Sequence, residues 1–286
     1  MTVPHGTPEA PEAPETPLAH DAAAVAPPAP AAAPPRAAAP RPRIDLEQAN
    51  ARLDGAEPAD VVRWAYDAFG PGLILTSSFG AQAAVMLHLV ATALPQARVP
   101  VVFIDTGYLF PETYQFADAL TRRLNLNLKV YGPAITPARM EALFGRLWED
   151  ETGDGYHRYS QITKVEPMQR ALAELGATAW LAGLRANQTD HRKSLRAVEL
   201  QDGTYKVHPI LRWSGKQVHE YLKTHDLPYH PLVEKGYLSI GDTHSTLPVG
   251  AEGSERAGRF RGLRQECGLH LPTTPEETAS RDASGL

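Results

Sequence analysis

From Ile44 onward, short apolar runs alternate with stretches of helical periodicity, and this alternation narrows the possible folds more than any other feature of the chain. Leu73-Ile-Leu-Thr-Ser77, Val99-Pro-Val-Val-Phe-Ile104, Leu126-Asn-Leu-Lys-Val130 and Thr178-Ala-Trp-Leu-Ala182 read as short strands, the second of them buried. Around them, Pro58–Phe69 places Val61, Trp64, Ala65 and Phe69 at helical spacing and stops at Gly70-Pro71-Gly72. Ala81–Thr92 and Lys164–Leu175 also read as helices, and Pro111 suits the first turn of another. Strands that alternate with helices pair in parallel, so the expected class is α/β, a mainly parallel sheet flanked by helices. Crossovers in such sheets are right-handed, and ligands sit outside the carboxyl ends of the strands. Ser77–Gly80, Asp105–Gly107 and Gly183–Arg185 all follow predicted strand ends.

The segment before this pattern differs in composition. Residues 1–43 are dominated by Ala and Pro and hold almost no large apolar side chain. Proline interrupts helices and strands, and alanine buries too little surface to offset chain ordering. This stretch is expected to be a disordered arm. It has neither the basic start and continuous apolar run of a secretion signal nor, with Glu9, Glu12, Glu15 and Asp21, the acid-poor composition of a transit peptide. No apolar run is long enough to span a bilayer, so a cytoplasmic protein with no membrane partner is expected. The net charge of −5 does not favour broad nucleic-acid binding.

The chain has one cysteine, Cys267, in Glu266-Cys-Gly-Leu-His270, preceded by Arg256, Arg259, Arg261 and Arg264. Neighbouring positive charge lowers a thiol's pKa and raises its thiolate fraction, although a lone cysteine is more often a small buried hydrophobe. A single thiol can attack and hold an adduct, but a second thiol to resolve that adduct must come from outside the chain. His270 is placed to assist it, though a Cys–His spacing of three is weak ground for a dyad. One cysteine also excludes an intrachain disulfide framework and an ordinary four-cysteine iron–sulfur site.

Each strand-end segment has two readings. Ser77-Ser78-Phe79-Gly80-Ala81-Gln82 turns from strand to helix, where backbone N–H groups and the helix dipole suit phosphate. The same residues also make an ordinary turn, and no Walker lysine follows. Asp105-Thr106-Gly107 either shapes a nucleotide pocket or is a capped helix entry. Lys164 either neutralises an anion or points to water. Arg185 and Arg192, after Gly183, carry planar forks that match tetrahedral oxyanions. Asp242, His244 and His230 lack the spacing of a metal site, so hydrogen bonding or substrate contact is the stronger reading.

Together these segments resemble the thioredoxin-dependent phosphoadenylyl-sulfate (PAPS) reductases, over about Gly72 to His270. The resemblance rests on Ser77–Ala84, Asp105–Thr113, Lys164–Met168, Ala182–Arg185, Tyr229–Leu232, Gly236–His244 and Glu266–His270. It implies an adenine-nucleotide α-hydrolase-like, Rossmann-like domain over residues 44–251 and a mobile segment, 252–286, carrying the nucleophile Cys267. It implies that the Ser77–Gln82 loop receives the phosphosulfate end of PAPS, with Lys164, Arg185, Arg192, Arg256 and Arg259 on anionic oxygens. His244 becomes an assisting residue. Reduced thioredoxin or glutaredoxin is the implied external reductant, and a homodimer the implied assembly. Related adenylyl-sulfate (APS) reductases hold an iron–sulfur cluster on paired cysteines. Here those places are filled by Gln161, Ile162, Asp242 and Ser245, so no bound cofactor is expected. Gly253-Ser-Glu-Arg-Ala-Gly-Arg-Phe260 is closer to the APS-reductase pattern, which keeps a cluster-free APS reductase as the alternative. An ATP-splitting adenylyltransferase or a non-catalytic nucleotide sensor would not need Cys267.

Overall fold

The computed structural model describes residues 42–150, 154–249, 258–259 and 268–270. The Ala/Pro-rich arm, Arg256 and Cys267 lie outside the described residues, apart from the arm's last two positions. Six strands form one sheet: β1 (Leu73–Thr76), β2 (Pro100–Ile104), β3 (Asn127–Tyr131), β4 (Ala179–Leu181), β5 (Val198–Gln201) and β6 (Thr204–Val207). Their spatial order is β3-β2-β1-β4-β6-β5, with every pair parallel except β5 and β6.

The central strands β1, β2 and β4 are apolar on both faces because both faces are covered. Leu73 and Leu75, Val101 and Phe103, and Ala179 and Leu181 pack into the larger core with α1 (Leu46–Leu53), α2 (Pro58–Phe69), α3 (Ala84–Ala93), α4 (Pro111–Leu124) and α9 (Gly215–Thr224). Their neighbours in sequence, Ile74, Val102 and Trp180, point the other way onto Met168 and Ala171 of α7 (Glu166–Glu174). This period-two division is the signature of a strand buried on both sides.

Helix α7 continues from α6 (Asp154–Ser160) through a π turn, Gln161–Val165, in which the Glu166 N–H donates to the carbonyl of Gln161. The extra residue in that turn is accommodated next to Pro167, which has no N–H to offer the regular ladder. The remaining helices are α5 (Pro137–Phe144) and α8 (Asp190–Lys193). The sequence predicts β1 to β4 within one or two residues. It leaves unassigned the antiparallel β5–β6 hairpin, whose turn Asp202-Gly203 has positive φ at both positions, 50° and 73°. Among the described residues, no helix is long and apolar enough to cross a membrane.

Candidate active site

Strand β1 leads through α3 to β2 on one side, while β4 pairs on its other side. The chain direction therefore switches between β1 and β4, and the crevice beyond their carboxyl ends is the favoured ligand position in an open α/β sheet. A cavity of about 290 Å³ lies there.

The loop after β1 forms one wall. The Ser77 N–H donates to the carbonyl of Val102, which continues the β1–β2 pairing, and the Ser77 hydroxyl accepts from the Phe79 N–H. Ser77, Ser78, Gly80 and Gln82 line the cavity. Phe79 does not: it is fully buried at φ 47°, its ring packed edge-on against Phe103 at 4.9 Å. A bulky residue in the left-handed region is strained, and core packing of the ring compensates. Phe79 thus anchors the loop from below while its small neighbours face the cavity. Helix α3, which follows, has no side-chain cap.

Four cationic side chains reach the same cavity from four segments: Lys164 from the π turn, Arg185 after β4, Arg192 from α8 and Arg259 from the C-terminal region. Glutamines orient two of them. Gln82 Oε1 accepts from Arg185 Nη2 at 2.9 Å, and Gln188 Oε1 accepts from both the Arg185 N–H and Arg192 Nη1. Arg259 Nη1 donates to Thr246 Oγ1 at 2.6 Å, and its backbone forms an antiparallel bridge with Thr246. Gly183 borders the cavity where a β-carbon would come within 2.8 Å of Met86 Cγ.

Lys164 is paired with Asp242, whose Oδ2 lies 2.5 Å from Nζ, while Thr106 Oγ1 donates to Asp242 Oδ1 at 2.6 Å. Burial alone raises a carboxyl pKa. Here the ammonium and the hydroxyl outweigh it and hold Asp242 down at about 2, ionised. Among the described residues lining the cavity, this is the one carboxylate against four cations, so the space is strongly electropositive. For Asp242 the sequence leaves hydrogen bonding or substrate contact open, and the structure shows its hydrogen bonds to Lys164 and Thr106. Its only signal was its position in the Gly-Asp-Thr-His run.

The other sequence-predicted residues divide. Thr106 faces the cavity, but Asp105 and Gly107 do not. Asp105 Oδ1 accepts from the Gly107 N–H and from the Tyr114 hydroxyl, which is the helix-entry reading of that turn. His244 is also outside the cavity lining. It stacks on Trp148 at 4.0 Å and meets Tyr108 and Tyr159 edge-on. Cys267 and Arg256 lie outside the described residues, as does the side chain of His270. Of the described residues after Cys267, Leu269 reaches the site. It lines the cavity and packs against the buried cluster that contains Val102, Met168 and Trp180, and its carbonyl accepts from Gln201 Nε2 at 3.3 Å.

The fold and site together define an α/β domain whose switch-point cavity has one wall of small polar residues and is lined by four cations. Comparison with known proteins gives the family. Residues 72–248 match the family model described as the phosphoadenosine phosphosulfate reductase domain. The chain is 56% identical to the phosphoadenosine 5′-phosphosulfate reductase of a Synechocystis species over 245 residues, covering 85% of this chain and 98% of the relative. The corresponding enzyme of a Synechococcus species is 56% identical over 227 residues, 79% of this chain and 97% of the relative. The crystal structure of PAPS reductase from Candida auris, in a phosphate complex, is similar with a TM-score of 0.62 at 32% identity, covering 72% of this chain and 98% of the other. The chain therefore belongs to the phosphoadenosine phosphosulfate reductase family.

Proposed function

We propose that this protein reduces PAPS to sulfite and adenosine 3′,5′-bisphosphate, taking its electrons from a reduced thioredoxin or glutaredoxin. The observation that carries the reading is the convergence of Lys164, Arg185, Arg192 and Arg259 on one cavity that Leu269, two residues beyond Cys267, also lines. The Cys267 thiolate attacks the sulfonate sulfur. The bond from that sulfur to the bridging phosphate oxygen breaks, and adenosine 3′,5′-bisphosphate leaves with the electron pair. The cysteine now carries a sulfonate. A thiolate of the reductant attacks Cys267 Sγ, sulfite departs with the pair of the S–S bond, and a mixed disulfide forms. The reductant's second thiol resolves it, so sulfur falls from the sulfate to the sulfite level while one dithiol becomes a disulfide.

The cations serve the first step. Negative charge grows on the leaving phosphate oxygen, and preorganised donors in a site shielded from water stabilise it without reorganising. Gln82 and Gln188 fix the two arginine forks, and Asp242 with Thr106 fixes the Lys164 ammonium. The reaction as proposed needs no iron–sulfur cluster. The chain has one cysteine, and the Asp242 carboxylate, in one of the places where APS reductases carry cluster cysteines, is committed to Lys164 and Thr106. We take PAPS in preference to APS as substrate, and the enzyme as a homodimer in the cytoplasm.

Sulfite release from PAPS and from APS, measured side by side with reduced thioredoxin, tests this reading. A higher kcat/KM for PAPS is expected, with a preference that weakens as added salt screens the 3′-phosphate. Equal or better turnover of APS would move the protein to a cluster-free APS reductase.

A further inference from the structure

Arg259 reaches the cavity from a segment remote in sequence, and at two glycines near it a β-carbon has no room. Gly258 sits where its carbonyl accepts from the Leu247 N–H at 2.8 Å, and a β-carbon there would collide with the Leu247 carbonyl oxygen. Gly241 is the more informative of the two. It borders the cavity one residue before Asp242, and its φ is not in the left-handed region, so the backbone does not require glycine there. Space does. A β-carbon at Gly241 would overlap Cζ, Nη1 and Nη2 of Arg259 at once. The guanidinium therefore lies directly over the Gly241 backbone, held at its edge by the Thr246 hydroxyl and buried with only 6% of its residue surface exposed. By contrast, a β-carbon at Gly80, across the cavity, would meet Ser78 Oγ and the Ile240 carbonyl oxygen at ordinary distances of 3.6 and 3.7 Å.

We propose that Gly241 is a positioning residue for Arg259: its missing side chain is the slot in which the guanidinium lies, and any β-carbon there displaces the guanidinium from the cavity. The proposal rests on the reading above that Arg259 binds anionic oxygens of the substrate. What collides is the far end of a flexible side chain rather than backbone, so Gly241→Ala moves Arg259 and leaves the fold standing. The consequence is a particular kind of non-additivity. Two residues that act through one guanidinium share one loss, and removing both costs no more than removing the arginine.

The experiment compares wild type, Gly241→Ala, Arg259→Ala and the double variant. It measures kcat/KM for PAPS with reduced thioredoxin, the dissociation constant of adenosine 3′,5′-bisphosphate, and thermal unfolding. Losing one set of charge-assisted hydrogen bonds predicts about a tenfold or greater fall in kcat/KM for Arg259→Ala. Gly241→Ala should fall by a comparable factor, and the double variant should be no worse than Arg259→Ala alone. Impaired Arg259→Ala beside unimpaired Gly241→Ala would overturn the slot alone, as would multiplied losses in the double variant. Wild-type turnover by Arg259→Ala would overturn the anion reading and the slot with it. If Gly241→Ala fails to fold, the double variant must fold, because the group it collides with is gone. A double variant that also fails to fold would overturn the proposal.

Discussion

Asp242 is ionised although almost no water reaches it, and its charge is tolerable only because Lys164 and Thr106 satisfy both carboxylate oxygens. Removing one partner of a buried pair leaves the other charge uncompensated, which is strongly destabilising. Asp242→Asn should therefore cost about 3–5 kcal/mol in urea unfolding at pH 7, and a loss below about 1 kcal/mol would contradict the pairing. The pH dependence has a definite sign. A carboxyl held at about 2 when folded contributes stability above its unfolded pKa, and that stability is lost as pH falls toward 2. The asparagine variant should lose that component of acid sensitivity. The sequence marked Lys164 as a candidate anion contact but not its pairing with Asp242, which lies 78 positions away and becomes visible only in three dimensions. Phe79 shows the opposite limit. Its neighbours marked a ligand loop, yet a large apolar ring in a polar loop is better used as an anchor, as its burial shows.

Among the elements, the short 3-10 turn Pro231–Lys235 is held by His230, which is fully buried. Its Nδ1 accepts from the Leu232 N–H, so Nε2 carries the proton toward Thr113 Oγ1 at 3.0 Å in the neutral ring. Burial pushes this histidine down to about 4 from its ordinary 6.5. The unfolded chain then binds a proton that the folded one refuses, so stability is full above about pH 6.5 and declines as pH falls toward 4. Thermal melts from pH 7.5 to 4 should show this decline, and His230→Gln should melt lower at neutral pH with a flatter profile between 6.5 and 4. An unchanged slope in the variant would contradict the assignment. The β5–β6 hairpin makes a parallel case for local chemistry. Gly203 has φ 73°, so Gly203→Ala should cost about 1 kcal/mol through backbone strain alone, read from chemical denaturation. That hairpin was legible in principle, since Asp-Gly between apolar residues is a strong turn signal. Strands β1, β2 and β4 were legible because burial on both faces makes them continuous apolar runs. The π turn was not, because a one-residue bulge in a helix hardly changes its periodicity, although Pro167 inside a helical run hints at an irregular ladder.

For the whole molecule, the described core runs from α1 onward, and the family match begins at residue 72. The Ala/Pro-rich segment before α1 has no apolar pattern with which to join that core. Deleting residues 1–41 should leave thermal stability and turnover nearly unchanged, and a large loss of either would show that the segment belongs to the folded unit. The sheet order sets the position of the cavity, the loops after β1 and β4 supply its polar wall and one arginine, and the C-terminal region supplies Arg259 and Leu269. In the proposed function that assembly has one purpose, presenting a sulfonate to the thiolate of Cys267. The most direct test is intact and peptide mass spectrometry of the protein incubated with PAPS and no reductant. One sulfonate should appear on the Cys267 peptide and vanish with sulfite release when reduced thioredoxin is added, while Cys267→Ser acquires none and releases no sulfite. Undiminished sulfite release by Cys267→Ser, or a sulfonate on any other residue, would contradict the account.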